Sequence, residues 1–375
     1  MAFNMPSTGF VDSEDKLSLP EEMWLYRRND EKSISEAIKV VNKYIPIPSF
    51  TIPPVGASTT TVISAFFPPP ADRPLLRAHG QEKIPRSVDD YRDGIRKMVA
   101  ACQHLILFLP PDDFAEEVRA LSGNNVVIYD HYTTPWDLPH LKQKKESFHR
   151  TQTELDQSIR TTYHGEPHSW GCWNAKTYFV LEAMKRDPFR TSNFVWLDAR
   201  TPLKGLRAFP GDIGISSGTW PHPEAVASMY RAMKYTDRGV VCCSYDTGLT
   251  SASAQAAPSF ADGASNVVLD NEGGLDGMIS ICANLMFGDK RSLARLARAH
   301  LIVFERDFEM GSYVAREEFQ LSYAHYEFQA LYQTLELFRR RPLERPMKTS
   351  ILAYMLLSRA DSDWSGLGLD KDPEF

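Results

Sequence analysis

The sequence lacks every pattern that would carry it into or across a membrane. No apolar run approaches the roughly 20 residues of a bilayer-spanning helix. The first residues also lack the basic-then-apolar order of a secretory signal peptide. We therefore expect a cytoplasmic protein without an integral membrane segment.

Cysteine is scarce, and positive charge is not in excess. The five cysteines are an odd number without a Cys-x-x-Cys pair, which argues against a disulfide framework or a zinc site and favours a reducing compartment. The formal net charge is -6. Because proteins that bind nucleic acid or anionic membranes rely on positive surface charge, we expect no nucleic-acid partner.

Several motifs of common enzymes are missing. The chain has no Gly-x-Gly-x-x-Gly after its first strand, no Gly-Lys-Ser/Thr phosphate loop and no His-Glu-x-x-His. These absences argue against the common dinucleotide-binding dehydrogenases, P-loop ATPases and zincin metalloproteases.

The middle of the chain alternates between apolar runs of strand length and segments of helical period. In order, strand and helix patterns occupy Thr60–Phe67, Ser87–Cys102, His104–Leu109, Phe114–Leu121 and Asn125–Tyr129. This alternation is the signature of a wound, mostly parallel sheet. The fold class predicted is α/β, with a single Rossmann-like domain over residues 58–341 whose central sheet is flanked by helices.

The remaining segments are predicted as additions to that domain. Residues 1–57 contain a short helical pattern at 33–44 followed by prolines, which indicates an N-terminal extension packed on the domain. Residues 342–375 are expected to form a C-terminal helix and a loose tail. Within the domain, Pro135–Arg160 is expected to be a polar excursion, and Val314–Arg340 a long helical region.

The most informative stretch runs from Trp173 to Arg200. An amphipathic helix ends at Asp187-Pro188, and the fully apolar strand Phe194–Leu197 follows and leads directly to Asp198. Ligands of open α/β sheets bind at the carboxyl ends of strands. Asp198 is therefore a candidate ligand-site carboxylate, although an aspartate in this position also serves as a helix cap or turn former.

Several separated stretches resemble the HtrL/YibB-like proteins, whose sequences look like glycosyltransferases of the GT-A fold. The resemblance spans residues 58–325 and is sharpest at Lys176–Asp198, where the family has a lysine-bearing helix, an Asn/Asp-Pro-Phe turn and a Trp-Ile-Asp-Ala-Gly strand end. This chain departs from that pattern in two places. Arg200 replaces the usual glycine, and Glu317-Glu318 replaces an Asp-Glu pair.

The resemblance implies a GT-A-like enzyme that transfers a sugar from a nucleotide-diphosphate donor, UDP- or GDP-linked, to a hydroxyl acceptor. Asp198 would anchor the donor phosphates, directly or through Mn²⁺ or Mg²⁺. By its spacing, seven residues after Glu318 on a helical pattern, His325 could bring an imidazole to the metal or to phosphate, although a lone histidine is more often structural. Arg200 supplies donors that could clamp phosphate and reduce the need for a metal. Glu318 would act as general base, with Glu317 as its substitute. The other donor-binding candidates are Thr61, Phe66, Lys176 and Trp196.

Each assignment has a structural alternative. Lys176 and Glu318 also fit exposed helix faces, and the apolar and aromatic residues also fit a core. The incomplete Asp-x-Asp motif at Asp198-Ala199-Arg200 leaves a second functional hypothesis open. In that hypothesis the protein is a GT-A-shaped nucleotide-binding or scaffold protein without turnover.

Overall fold

The computed structural model describes most of the chain between residues 31 and 335. The described ranges are 31–44, 59–70, 76–79, 82–85, 87–155, 167–202, 220–232, 240–246, 279–312 and 333–335, together with single residues at 314, 315, 317, 320, 321, 324 and 357.

Eight helices and nine strands form the described part of the fold. The helices are α1 (Glu31–Tyr44), α2 (Val88–Ala101), α3 (Asp113–Leu121), α4 (Lys145–Ser147), α5 (Thr153–Leu155), α6 (Pro167–Arg186), α7 (Pro223–Ala232) and α8 (Lys290–Glu309). The strands are β1 (Thr60–Ala65), β2 (Leu76–His79), β3 (Glu82–Pro85), β4 (Leu105–Phe108), β5 (Val126–Tyr129), β6 (Asn193–Leu197), β7 (Val240–Asp246), β8 (Ile279–Asp289) and β9 (Gln333–Leu335).

Seven of these strands form one mixed sheet in the order β5-β4-β1-β6-β8-β7-β9. All neighbouring pairs are parallel except the two that involve β8, which runs against both β6 and β7. The strands β2 and β3 form a separate antiparallel pair. The α/β class with a mostly parallel central sheet flanked by helices is therefore confirmed.

The two faces of the sheet are covered by different helices because side chains alternate along each strand. On one face, Phe194 and Trp196 belong to a core cluster with residues of α1, α6 and α8. On the other face, Val195 and Leu197 pack in a cluster with residues of α2, α3 and α7. Burial on both faces explains why the four residues of β6 after Asn193 are all apolar.

Local signals set several of the element boundaries. The side chain of Ser87 accepts a hydrogen bond from the Asp89 N–H at the start of α2, and Asp112 accepts one from the Ala115 N–H at the start of α3. The prolines after Phe67 follow the end of β1. These boundaries agree with the sequence prediction to within a few residues.

Helix α1 joins the core of the domain. Ala37 and Val41 are buried against the cluster that contains α8, and Arg298 of α8 donates a hydrogen bond to Asn42. This helix therefore packs on α8. Near the other end of the chain, the Leu357 carbonyl accepts a hydrogen bond from the His222 N–H.

Two sequence predictions need correction. The segment after Tyr132 is not a polar excursion: a 3₁₀ turn (Pro135–Asp137), α4, a π-helical turn (Phe148–Gln152) and α5 follow one another, and Leu141 and Phe148 are fully buried. The long helix expected over 314–340 is also wrong in part. Residues such as Glu317 and Gln320 are helical, but β9 pairs with β7 as a strand. Pairing with a sheet edge overrides local helical propensity there.

Among the described helices, none is long and apolar enough to cross a membrane.

Candidate functional site

Asp198 lies where the sheet reverses its direction of growth. From β1 the chain adds β4 and β5 on one side, and then returns to add β6 on the other. The crevice outside the carboxyl ends of the strands at such a switch point is the usual ligand site of open α/β sheets. Asp198 follows β6 directly at this point, and its side chain is 25% exposed.

The Lys176 ammonium is the centre of the site. Its Nζ lies 3.1 Å from Oδ1 of Asp198, 2.9 Å from Oε1 of Glu317 and 3.3 Å from the Ala283 carbonyl oxygen. Lys176 stands on the buried side of α6, so its side chain reaches the strand ends from within the core. Lys176 therefore pairs with both Asp198 and Glu317, and the alternative of an exposed helix face is wrong.

The protonation of Lys176 is fixed by this setting. Burial alone lowers the pKa of a lysine because the charged form loses its hydration. Here the charges of Asp198 and Glu317, and the hydrogen bonds to them, outweigh burial and raise the pKa of Lys176 well above its usual value. The lysine is therefore a permanent cation across the physiological pH range.

Trp196 orients the Asp198 carboxylate. Its indole N–H donates a 2.9 Å hydrogen bond to Oδ1 of Asp198, and its ring stacks on Phe179 of α6 with centroids 6.4 Å apart. Trp196 is only 2% exposed. The core alternative for Trp196 is therefore correct and its role as a donor-binding residue is not, because its ring faces the core and its N–H holds the carboxylate.

The backbone around Asp198 is also fixed. The Asp198 N–H donates to the Asn284 carbonyl of β8 at 2.9 Å, and the Asp198 carbonyl accepts from the Thr201 N–H at 2.8 Å. Ser64 of β1 donates its hydroxyl to the carbonyl of Leu197 at 2.6 Å. Because β8 is antiparallel to β6, it brings Ala283 and Asn284 beside the end of that strand.

Two amides hold the segment that carries Glu317. The Asn174 Nδ2 donates to the carbonyls of Val314 and Ala315 at 3.1 and 3.3 Å. Gln152 donates to the Ser312 carbonyl at 2.9 Å and accepts from the Val314 N–H at 2.7 Å. Glu317 itself is buried. The π-helical turn and α6 therefore fix the position of Glu317 opposite Asp198.

Arg200 has partners on the other side of Asp198. Its Nη2 donates to Oδ2 of Asp90 at 2.8 Å, and its guanidinium lies 5.3 Å from the ring centroid of Tyr91. Tyr91 in turn stacks on Phe66, with centroids 5.1 Å apart. Phe66 thus lies at the carboxyl end of β1, as predicted for a donor-binding residue, but its ring packs against Tyr91 of α2. A phosphate at Arg200 would have to compete with Asp90.

Helix α2 approaches the turn after Asp198 unusually closely. A Cβ built on Gly94 would lie 1.6 Å from the carbonyl oxygen of Ala199. No side chain fits there, so Gly94 allows the backbone contact that brings Asp90 and Tyr91 to Arg200.

Thr61 does not reach the site, and its assignment is corrected. It lies near the amino end of β1, where its hydroxyl is 2.6 Å from that of Thr191. The distance along the strand from Thr61 to Phe66 is about 16 Å at roughly 3.3 Å per residue. The predicted candidates Glu318 and His325 lie outside the described residues.

Several residues of the site were not predicted from the sequence. Asp90, Tyr91, Gln152 and Asn174 come from elements far from Asp198 in the chain, and no motif links them to it. Asn174 lies two residues before Lys176 on α6, but residues two positions apart do not share a helix face, so no local pattern pointed to it.

The described residues do not fit a divalent cation well. Mg²⁺ bound together with substrate phosphates needs only one or two carboxylates, so the number of ligands does not decide the matter. Charge does. The Lys176 ammonium occupies the space between Asp198 and Glu317, and unit charges of equal sign about 4 Å apart repel by about 4 kcal/mol at an effective dielectric constant near 20. Across the described part of the chain, no group of three His, Cys, Asp or Glu residues could hold a metal.

Two buried histidines lie next to this site, His140 in the turn before α4 and His300 on α8. His140 is 3.1 Å from the Asn174 carbonyl through Nε2, and His300 is 2.7 Å from the Thr177 hydroxyl through Nδ1. Burial lowers the pKa of each to about 3. Both histidines are therefore neutral at physiological pH.

Comparisons of the chain with models of protein families, with curated proteins and with solved structures find no match in any of the three. The resemblance to the HtrL/YibB-like proteins therefore stays a prediction from the sequence.

Proposed function

We propose that the protein is a glycosyltransferase with a GT-A-like domain, which transfers a sugar from a UDP- or GDP-linked donor to a hydroxyl acceptor. The observation that supports this most is the position of Asp198. It is a partly exposed, rigidly oriented carboxylate at the switch point of a mostly parallel sheet, where nucleotide ligands of α/β proteins bind.

The reaction requires the acceptor oxygen to bond to the anomeric carbon while the bond from that carbon to the diphosphate oxygen breaks. The diphosphate leaves with the bonding electrons, and the acceptor proton passes to a base. We assign the base to Glu318, as the sequence suggests. Glu317 is a poor substitute, because it is buried and ion-paired with Lys176.

The charged residues at the sheet edge divide between donor binding and support. Asp198 contacts the donor, and Arg200 receives the diphosphate by exchanging Asp90 for it, since both groups accept hydrogen bonds from a guanidinium. Lys176 pairs with Asp198 from the core side and does not face the ligand, because its ammonium is buried among three acceptors.

Calorimetric titration of UDP and GDP into the purified protein tests this proposal. We expect binding that Asp198→Asn weakens at least tenfold. Asp130→Asn is the matched control, because Asp130 follows β5 at the far edge of the same sheet and pairs with Arg119 away from Asp198. Nucleotide binding of equal strength in wild type and Asp198→Asn would contradict the assigned site, and no binding of either nucleotide would contradict the function.

A second candidate is a nucleotide-binding protein without turnover. The burial of Glu317 favours this candidate, because turnover needs a base for the acceptor proton. Among the described residues beside Lys176, only Asp198 has a partly exposed carboxylate. Release of nucleoside diphosphate from a panel of UDP- and GDP-sugars separates the two. Binding without release under every acceptor condition would favour the second candidate.

A further inference from the structure

The Lys176 ammonium has as many acceptors as it has N–H donors. An ammonium carries three N–H groups. Asp198, Glu317 and the Ala283 carbonyl each lie within hydrogen-bond distance of Nζ. The side chain is 5% exposed, as is that of Glu317. Lys176 is therefore coordinated by oxygen atoms in the way that a bound cation would be.

The surroundings prevent this lysine from leaving. Its departure would take from the buried Glu317 carboxylate the ammonium that lies 2.9 Å away, and breaking a buried ion pair is strongly unfavourable. Glu317 cannot follow it, since Asn174 and Gln152 hold the preceding backbone at Ser312, Val314 and Ala315. Trp196 likewise fixes Asp198 through Oδ1. The ammonium is thus part of the framework.

We propose that Lys176 is the resident cation of this site, and that ligands bind beside Asp198 without a divalent metal ion. One positive and two negative charges leave the cluster at -1, whereas the two carboxylates alone would present -2 to an incoming cation. The lysine therefore removes much of the attraction that would otherwise recruit Mn²⁺ or Mg²⁺.

This inference rests on the proposed function only for the identity of the ligand. It replaces the expectation from the sequence that Asp198 acts through Mn²⁺ or Mg²⁺. In this proposal Lys176 is the fixed cation of the site, and it is neither a contact to the donor phosphate nor an exposed residue of a helix. Removing the lysine should accordingly create a metal site from the two carboxylates that remain.

The experiment has two arms, and the first uses Mn²⁺ alone. Binding of Mn²⁺ is followed by the electron paramagnetic resonance signal of the free ion in wild type, Asp198→Asn and Lys176→Gln. We expect wild type and Asp198→Asn to bind the same amount of Mn²⁺. We expect Lys176→Gln to gain one equivalent of bound Mn²⁺, which Asp198→Asn removes when the two substitutions are combined.

The second arm titrates UDP and GDP into wild type in the presence of EDTA and again with Mn²⁺. We expect the two dissociation constants to agree within about twofold, a difference of less than about 0.5 kcal/mol.

The outcomes separate this inference from the function. Loss of one Mn²⁺ equivalent on going from wild type to Asp198→Asn would overturn the resident-cation proposal, even if Lys176→Gln did not fold. So would a tenfold or greater gain in nucleotide affinity with Mn²⁺. Absence of nucleotide binding in every condition would overturn the proposed function, while the first arm would still decide which cation occupies the site.

Discussion

The ammonium of Lys176 and the carboxylate of Glu317 lie 2.9 Å apart, with each side chain 5% exposed, and they join α6 to a segment 141 residues later in the chain. Such a pair adds little net stability as long as both partners are present, because desolvation offsets attraction. Loss of one partner is costly, because it leaves the other charge buried.

Replacement of Lys176 alone should therefore destabilise the fold severely. We expect Lys176→Met to lower the free energy of unfolding by about 3–5 kcal/mol, because it breaks the buried ion pair with Glu317 and leaves that carboxylate in place. The double variant Lys176→Met/Glu317→Gln should recover part of that loss. Urea unfolding of wild type, both single variants and the double variant measures the coupling. Additive effects would show that the two groups do not interact.

Gly94 is expected to tolerate no side chain. The Cβ of Gly94→Ala would overlap the carbonyl oxygen of Ala199, so α2 or the turn after Asp198 must move. We expect a loss of about 1–3 kcal/mol in the free energy of unfolding, as for other overpacked sites. Gly123→Ala is the control, because its nearest neighbour is the movable side-chain oxygen of Asn125. Equal, small effects of both substitutions would contradict the close approach of α2.

Stability should fall as the pH drops below the pKa of an unfolded histidine. His140 and His300 have folded-state pKa values of about 3, below the ordinary 6.5, so the unfolded chain binds more protons between these values. Their contribution is full above pH 6.5 and is lost on acidification toward 3. Each histidine should add a slope of about 1.4 kcal/mol per pH unit inside this window.

Urea midpoints measured between pH 7 and pH 5 check this slope, since most carboxylates remain ionised over that range. The slope should become smaller in His300→Gln and in His140→Gln. An unchanged slope in both variants would show that other groups cause the pH dependence.

Asn174 should control the mobility of the segment before Glu317. Asn174→Leu removes the donors to Val314 and Ala315 and leaves two buried carbonyls without them. We expect faster hydrogen exchange in a peptide covering residues 312–317, detected by mass spectrometry. Asn125→Ala is the comparison, because Asn125 donates only to the Cys102 carbonyl and should alter exchange there instead. Equal exchange at 312–317 in wild type and Asn174→Leu would contradict the role of Asn174.

Asp90 should compete with the ligand for Arg200. If the diphosphate displaces Asp90, Asp90→Asn should tighten the binding of UDP or GDP by about twofold to fivefold, the equivalent of up to about 1 kcal/mol for a partly exposed ion pair. Asp93→Asn is matched, because Asp93 lies on the same helix and pairs with Arg96. Calorimetric titration compares the three proteins. If Asp90→Asn binds the nucleotide more weakly and Asp93→Asn does not, Asp90 and not Arg200 contacts the ligand.

The sequence was sufficient for features that depend on local order. The apolar run before Asp198 predicted a strand covered on both faces, and β6 is buried at all five positions. The placement of Asp198 at the carboxyl end of that strand followed from the same pattern. Caps at Ser87 and Asp112 set helix starts for the same local reason.

Features that depend on packing between distant segments could not be predicted. Nothing near Trp196 in the chain tells that its indole faces the core and bonds to Asp198, since an aromatic residue at a strand end fits either a core or a ligand site. Thr61 failed for a related reason. Its strand was correctly predicted, but Thr61 lies near the amino end of β1, and the site is at the carboxyl ends of the strands.

The pairing of β1 with β6 has a consequence for the nascent chain. Thr60 pairs with Asn193, so β6 emerges from the ribosome about 130 residues after β1, which at about 5–20 residues per second is a delay on the order of 10 s. During that time β4 can cover one edge of β1 while the other edge remains open to other chains. Lys176 and Asp198 are both synthesised before Glu317, so the ion cluster is completed only when nearly the whole domain has been translated.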